Sequence, residues 1–263
     1  MTQCQFTTTY RDYESNKEEP FKCPEEALEL GKFCFFHDKT YLEDRLPNCR
    51  KEHEKIVKDR LMCKVKESIL EEKVLYCIGY HLPAITIQGI FTKPLYFSNA
   101  NFHGKLNISK DIFNDAADFS KATFNGEANF SGAIFNSEAN FDLATFKGET
   151  NFFLATFNKL ATFLEGNFDE QSVAIFVGTT FADIAIFAQS TFNGQADFTE
   201  GKFNHEVDLT RATFNNVTYF LISTFNNVAN FSGATFKINA IAFFPFAKFK
   251  GANFKQVVFY DVS

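Results

Sequence analysis

The chain has 263 residues, with 26 basic and 32 acidic side chains and a formal net charge of −6. This mild excess of acid argues against a protein that binds the phosphate backbone of nucleic acids. Neither an N-terminal apolar signal segment nor a run of about 18 apolar residues is present, so we expect a cytoplasmic protein without a membrane span.

Residues 1–84 lack the repeat that fills the rest of the chain, and they contain all six cysteines. Without a secretory signal, reduced thiols or metal ligands are expected rather than disulfides. The spacing Cys34-x-x-His37 suits a metal knuckle, and Cys4 and Cys23 lie upstream as further ligands. Three cysteines and one histidine are a normal ligand set for structural zinc. The sequence thus predicts a zinc site at these four residues, and buried thiols beside a surface histidine are the alternative.

The same region carries signals for several elements of secondary structure. The segment 5–13, rich in threonine and aromatic residues, predicts a strand or one arm of a hairpin. Pro24 and the two glutamates after it predict a helix that stops at Gly31. The apolar periodicity of residues 50–73 predicts one long amphipathic helix. The β-prone segment 74–80 follows, and we interpret it as a cap over the open end of the repeat.

From Ile85 almost to the C-terminus, a bulky apolar residue recurs at steps that alternate between five and six, most clearly in the segment 117–135. A small residue precedes each bulky one by two positions, so in an extended segment both side chains point to the same side. A short fixed period means that each unit buries its apolar face only by stacking on its neighbours. Each unit is therefore one short extended side and a turn, and four sides close a square coil around phenylalanine.

These units resemble the pentapeptide-repeat family, whose motif centres on alanine, then aspartate or asparagine, then leucine or phenylalanine. The copies that carry the resemblance are Ala100-Asn101-Phe102, Ala128-Asn129-Phe130, Ala139-Asn140-Phe141, Ala196-Asp197-Phe198, Ala229-Asn230-Phe231 and Ala252-Asn253-Phe254. The resemblance implies an all-β solenoid, namely a right-handed quadrilateral β-helix. The six-residue step in every second unit departs from the family motif and gives coils of 22 residues, hence about eight coils. We expect a partly helical cap region at 1–84 and the β-helix at 85–263.

Two features interrupt the regular pattern. The step from Phe168 to Phe176 is eight, so residues 169–173 contain an insertion that should bulge as a loop. The C-terminal segment leaves an apolar end without a polar cap, and its large residues are Phe243, Phe244, Phe246, Phe259 and Tyr260. We expect a homodimer through this end, as occurs in relatives with this fold. A simple hydrophobic cap or a frayed end is the alternative.

The chain contains no glycine-rich phosphate loop, no nucleophile elbow and no dinucleotide fingerprint. We therefore expect no enzyme, no catalytic residue and no cofactor other than zinc. The main hypothesis is a non-catalytic scaffold that presents a rigid, mildly acidic surface to another protein and binds no nucleic acid directly.

Two alternative functions stay open at this point. Some pentapeptide-repeat proteins resemble duplex DNA and act on DNA gyrase or topoisomerase. A rod with 11 basic and 16 acidic residues from position 95 onward fits that pattern. The other alternative is a metal- or redox-responsive regulator, in which Cys4, Cys23, Cys34 and His37 sense the change and the rod is the output.

Overall fold

The structure, a computed structural model, describes residues 2–28, 32–38, 47–237 and 240–260. Strands β1 (Thr7–Asp12) and β2 (Lys17–Lys22) form an antiparallel hairpin, and helix α1 spans Pro47–Leu70. The later strands form a parallel β-solenoid of about eight coils. No helix in this described part of the chain is long and apolar enough to cross a membrane.

The solenoid has four faces, which we number in the order in which the chain first reaches them. Each face is a column of short strands, and each strand pairs in parallel with the strands one coil before and after it. Face 1 consists of Leu75–Tyr76, Leu95–Tyr96, Ala117–Asp118, Ala139–Asn140, Ala161–Thr162, Ala185–Ile186 and Val207–Asp208. Face 2 consists of His81–Leu82, Asn101–Phe102, Thr123–Phe124, Thr145–Phe146, Asn167–Phe168, Thr191–Phe192, Thr213–Phe214, Thr235–Phe236 and Val258–Phe259.

Faces 3 and 4 complete the square. Face 3 consists of Ile85–Thr86, Leu106–Asn107, Ala128–Asn129, Thr150–Asn151, Ala174–Ile175, Ala196–Asp197, Thr218–Tyr219 and Ala242–Phe243. Face 4 consists of Ile90–Phe91, Ile112–Phe113, Ile134–Phe135, Thr156–Phe157, Thr180–Phe181 and Lys202–Phe203. In the last coils, the longer strands Thr224–Asn230 and Lys248–Asn253 run from face 4 onto face 1.

Phenylalanine rings fill the axis of the solenoid in stacked columns. The Phe141 ring lies between those of Phe119 and Phe163, with centroids 5.1 and 4.9 Å apart and planes tilted by 4°. Rings from the adjoining face, such as Phe130, meet this column edge to face at 5.3 Å. Both arrangements are favoured geometries for aromatic pairs. The 22-residue coil therefore places like residues directly above one another, as the repeat predicts.

The outward asparagine or aspartate of the motif shapes two of the four corners. Asn129 Oδ1 accepts a hydrogen bond from Ser131 N at 3.0 Å, and Asp118 Oδ1 accepts one from Ser120 N at 2.9 Å. The next residue turns the chain with a positive φ, for example 58° at Lys121. A short polar side chain that bonds the backbone two residues ahead stabilises this kind of turn. The motif thus encodes the corner as well as the side.

The corners with the extra residue use a different device. After face 4, the side-chain amides form a ladder: Asn158 Nδ2 donates to Asn136 Oδ1 at 2.7 Å, and Asn136 Nδ2 donates to Asn114 Oδ1 at 2.8 Å. Such amide ladders link like residues of successive strands. They fix the register of the coils from outside, as the rings do from inside.

The insertion at 169–173 forms a tight turn at the corner after face 2. Ser172 N donates to the carbonyl oxygen of Asp169 at 2.9 Å, and the Ser172 side chain is buried beside Thr150. A Cβ on Gly194, one coil later, would lie 1.9 Å from the Ser172 carbonyl oxygen. The next coil therefore accommodates the insertion by means of a glycine.

The ladder begins earlier than the sequence pattern suggests. Leu75–Tyr76 and His81–Leu82 already pair in parallel with the next coil. Cys77 holds the inward position in this first turn and is fully buried. The segment 74–80 is thus part of the ladder instead of a separate cap, because Leu75 and Cys77 occupy the two inward positions that alanine and phenylalanine take later.

Helix α1 packs against the start of the solenoid. The long helix is confirmed, and its buried face includes Val57, Leu61 and Val65. The Ile69 side chain lies so close to Gly89 that a Cβ there would be 2.3 Å from Ile69 Cδ1. The helix begins at Pro47, where the missing N–H has no intrahelical partner to lose.

The helix predicted from Pro24 is wrong for the residues that the structure describes. Glu26 forms an isolated antiparallel bridge with Gln3, and Ala27 N donates to the Thr2 carbonyl oxygen at 2.8 Å. Residues 2 and 3 thus pair with the backbone groups of residues 26 and 27 that a helix would have bonded internally. The sequence around Pro24 does not indicate this distant partner. Residues 29–31 lie outside the described residues. The strand predicted at 5–13 is confirmed by β1.

The β1–β2 hairpin lies against the first coils of face 1. The Tyr10 ring meets those of Tyr76 and Tyr96 edge to face at 5.8 and 5.0 Å. Tyr13 N donates to the Tyr96 hydroxyl at 3.1 Å. Arg11 Nη1 reaches Glu138 Oε1 at 3.0 Å. The hairpin thus covers one side of about three coils.

Asp118 is fully buried under this hairpin. Its Oδ1 is bonded to Ser120 N, whereas Oδ2 has no hydrogen-bond partner among the described residues. Burial raises the pKa of this carboxyl to about 6. At neutral pH the folded protein therefore carries a desolvated charge at this point.

The C-terminal end is open. No strand in the described part of the chain pairs with the far side of Ala242–Phe243, Lys248–Asn253 or Val258–Phe259. Large apolar side chains are exposed around these edges, with Phe246 at 81% and Phe259 at 64% of their full area. Unpaired strands next to exposed aromatic rings are a typical template for association.

We predict that Phe141→Ala destabilises the solenoid by about 3–5 kcal/mol, because it removes a fully buried ring from the middle of a stack. Urea denaturation followed by circular dichroism measures the change. The control is Phe153→Ala, where the ring is 44% exposed and a much smaller loss is expected. Equal losses in the two variants would contradict the stacked core.

We predict that Asp118→Asn stabilises the protein by about 3 kcal/mol at pH 7. The amide keeps the bond to Ser120 N, as Asn140 keeps the same bond to Asp142 N one coil later. An acid whose folded pKa is raised contributes stability below its unfolded pKa and loses it as pH rises through the folded pKa. The gain should therefore be near zero below pH 4, grow between about pH 4 and pH 6, and stay constant above that.

Thermal melts of the wild type and the variant across this pH range test the prediction. The matched control is Asp208→Asn, because Asp208 occupies the same position on face 1 but is only half-buried. If the stability difference between Asp118→Asn and the wild type did not depend on pH, the ionised carboxylate would not be its source.

Candidate metal centre

The structure brings together the four residues that the sequence singles out. Cys4 precedes β1, Cys23 follows β2, and Cys34 and His37 lie in the turn after them. All four side chains are buried, and their ligand atoms lie within 4.8 Å of one another. The predicted cluster therefore exists, although the sequence spacings between its members are irregular.

Backbone hydrogen bonds fix each member of the cluster. Cys4 N donates to the Glu25 carbonyl oxygen at 2.9 Å, and Cys23 N donates to the Phe6 carbonyl oxygen at 3.1 Å. His37 N donates to the Cys34 carbonyl oxygen at 3.1 Å. This single turn places Cys34 and His37 on the same side, as the spacing of three residues requires.

One hydrogen bond sets the orientation of the His37 ring. Nε2 lies 2.9 Å from the Ile78 carbonyl oxygen, and since a carbonyl only accepts, Nε2 carries the proton. Nδ1 then presents its lone pair to the thiols, 3.3 Å from Cys34 Sγ and 3.5 Å from Cys4 Sγ. A ligating histidine typically donates its other nitrogen to such a partner.

Aromatic rings enclose the histidine. The Phe6 ring stacks on it with centroids 3.9 Å apart, and the Tyr80 ring meets it edge to face at 5.2 Å. Phe6 also lies over Gly79, where a Cβ would be 2.1 Å from Phe6 Cζ. These three residues gave no signal in the sequence, because they are far from the cluster along the chain and carry no ligand atom.

The thiols polarise one another. The hydrogen bond with the Cys23 thiol lowers the pKa of the Cys34 thiol to about 4. The hydrogen bond with Cys34, together with burial, raises the pKa of the Cys23 thiol. Burial also raises the pKa of the Cys4 thiol. The cluster thus favours a thiolate at Cys34, and a cation at its centre would favour the charged form of the other two thiols.

The distances fit a tetrahedral zinc ion. With Zn–S near 2.3 Å and Zn–N near 2.0 Å, tetrahedral ligands lie about 3.8 Å apart for two sulfurs and about 3.6 Å apart for sulfur and nitrogen. The observed values are 3.8 Å between Cys23 and Cys34 and 3.3–3.5 Å between sulfur and His37 Nδ1. Four protein ligands also leave no open position, which is typical of structural sites.

The other cysteines lie outside the cluster. Cys49 and Cys63 are exposed on α1, and Cys77 is buried in the first coil. Cys4, Cys23 and Cys34 are thus the three cysteines that lie together with His37.

Comparison with known proteins bears on the repeat. A family model described as pentapeptide repeats (9 copies) matches residues 90–134 and 112–156. No curated protein matches the chain, and neither does any solved structure. The matched residues lie mainly in the second to fourth coils, where asparagine or aspartate corners recur after faces 1 and 3 and phenylalanine rings stack on every face. Residues 90–156 thus carry the repeat of the pentapeptide-repeat family, and the same four-sided coil continues on both sides of them.

Proposed function

We propose that the chain is a non-catalytic scaffold, a rigid and mildly acidic rod that binds another protein, with a structural zinc ion in its N-terminal region. The observation that carries this proposal is the set of buried phenylalanine rings stacked from coil to coil along the axis. The buried rings are inaccessible to other molecules. A partner can therefore contact only the outward-facing side chains and the open C-terminal end. A repeat fold of this kind suits a binding surface of fixed geometry.

The zinc ion would be held by Cys4, Cys23, Cys34 and His37. It would supply no reaction, because a closed four-ligand set leaves no position for a substrate. It would join three segments that have little apolar core of their own. Binding free energy of such a site becomes folding free energy.

The C-terminal end supports a protein partner, and the first candidate is a second copy of the chain. Its edge strands offer unpaired backbone groups, and the rings of Phe246, Phe259 and Tyr260 surround them. Two such ends facing each other would bury the rings and pair the strands around a two-fold axis.

The alternative of a DNA-imitating modulator of gyrase stays a prediction. Part of the acidic surface on which it depends is covered, since the hairpin lies over Asp118 and an arginine pairs with Glu138. A gyrase supercoiling titration with the purified protein tests it, and unchanged supercoiling at saturating protein would rule it out.

We predict that the purified protein holds about one zinc ion per chain and that Cys34→Ser loses it. Elemental analysis of protein purified without chelator measures the metal content, and thermal melts should show a lower Tm for the variant. Cys49→Ser, which changes an exposed thiol outside the cluster, should keep both the zinc and the Tm. Metal-free wild-type protein with a Tm that EDTA leaves unchanged would contradict the zinc site.

We predict that the wild type is a dimer and that Phe246→Asp combined with Phe259→Asp makes it monomeric. The two introduced carboxylates would lose their solvent in a dimer interface, and this desolvation costs free energy. A single folded chain leaves both positions exposed, so its own fold should tolerate the change. Light scattering after size exclusion gives the mass. Phe153→Asp, a similar change on the side of the rod, should leave the dimer intact, and a monomeric wild type at high concentration would refute the interface.

A further inference from the structure

We propose that the metal centre acts as a latch for the β1–β2 hairpin, so that loss of the metal uncovers the first four strands of face 1. The inference rests on the zinc site proposed above. It adds the surface that metal occupancy controls, which comprises Tyr76, Tyr96, Asp118 and Asn140. In this form the metal is a regulator of access to the rod.

Both ends of the hairpin meet at the metal centre. Cys4 lies just before β1 and Cys23 directly after β2. The other two ligands attach the centre to the solenoid, since His37 Nε2 donates to the Ile78 carbonyl oxygen and His81 N donates to the Phe36 carbonyl oxygen at 2.7 Å. An ion bound by all four ligands therefore clamps the base of the hairpin to the first coil.

Beyond that base, every contact between the hairpin and the solenoid that the structure describes involves at least one side chain. Among the described residues, no backbone hydrogen bond joins 7–22 to the solenoid. The contacts include the rings of Tyr10, Tyr13 and Phe21, two hydrogen bonds around the Tyr96 hydroxyl, and the partly exposed pair of Arg11 and Glu138. Such ion pairs contribute little, and an isolated two-stranded hairpin is marginally stable at best.

The covered surface itself opposes the contact. The Asp118 side chain is fully buried under the hairpin, whereas Asp208 and Asn230, at the same position in later coils that the hairpin does not reach, are half-buried. Closing the hairpin thus desolvates a carboxylate without giving its Oδ2 a partner. The clamp at the base is what offsets this cost.

Opening should be local, because the first coil has a second cover. Val57, Leu61 and Val65 of α1 are buried, and Ile69 packs over Gly89. None of these contacts uses the metal ligands. The stacked rings of the later coils are likewise independent of the hairpin.

The experiment compares zinc-loaded full-length protein with the same protein after zinc is released by an organomercurial thiol reagent, chelated, and the thiols restored. Zinc content is measured before and after. Hydrogen exchange reports the backbone of residues 7–22, and hydroxyl-radical footprinting reports the rings of Tyr76 and Tyr96. The internal reference is Tyr219, an outward ring on face 3 in a late coil.

We expect zinc release to abolish amide protection in 7–22 and to raise the labelling of Tyr76 and Tyr96 several-fold. Tyr219 labelling and the amide protection of coils beyond residue 145 should not change. Cys23→Ser should behave like the metal-free protein, and Cys63→Ser, an exposed thiol on α1, should behave like the wild type.

Three outcomes would overturn the latch, and they are distinguishable. Zinc-free wild-type protein would remove the zinc site and the latch together. Stoichiometric zinc, released without any change in the hairpin or in Tyr76 and Tyr96, would leave the zinc site standing and refute the latch. Loss of protection throughout the solenoid would show that the metal supports the whole fold instead of one covered face.

Discussion

Every part of this molecule depends on one constraint: each coil must place its phenylalanine rings directly over those of the coil before it. The centroid distance of about 5 Å between Phe119 and Phe141 is close to the spacing of hydrogen-bonded strands, so ring stacking and strand pairing are satisfied by the same rise. A coil of 22 residues is the length that meets both conditions. The asparagine ladders and the polar corners then hold this register from outside.

The repeat could be read from the sequence because its information is local. The small residue two positions before each ring, and the asparagine or aspartate between them, specify one side and one corner of the coil. The register follows, since Phe124 can lie over Phe146 only if each coil has the same length. Even the insertion at 169–173 was visible as a longer step, although its compact turn and its dependence on Gly194 were not.

The N-terminal region could be read only in part, because its structure depends on contacts between distant segments. The ligand types pointed to Cys4, Cys23, Cys34 and His37, but nothing in the sequence indicated that Phe6 stacks on the histidine or that the Ile78 carbonyl oxygen orients it. Pro24 and the acidic residues after it are a normal local signal for a helix. The segment instead pairs its backbone with residues 2 and 3, and this long-range pairing cannot be predicted from the local sequence. The first strands, at Leu75 and His81, were missed because tyrosine, cysteine and histidine replace the usual motif residues there.

The two ends of the solenoid differ in whether other elements cover them, and this difference bears on whether chains can add to one another end to end. Stacked parallel strands can in principle extend without limit, since each coil presents the same edge to the next. Here α1 packs against the first coils, whereas no strand of the described residues pairs with the far side of the edge formed by residues 242–259. A body with a single adhesive end has a valence of one. In the dimer proposed above, association through that end closes after one step, and a core stacked like that of a fibril then has no route to polymerisation.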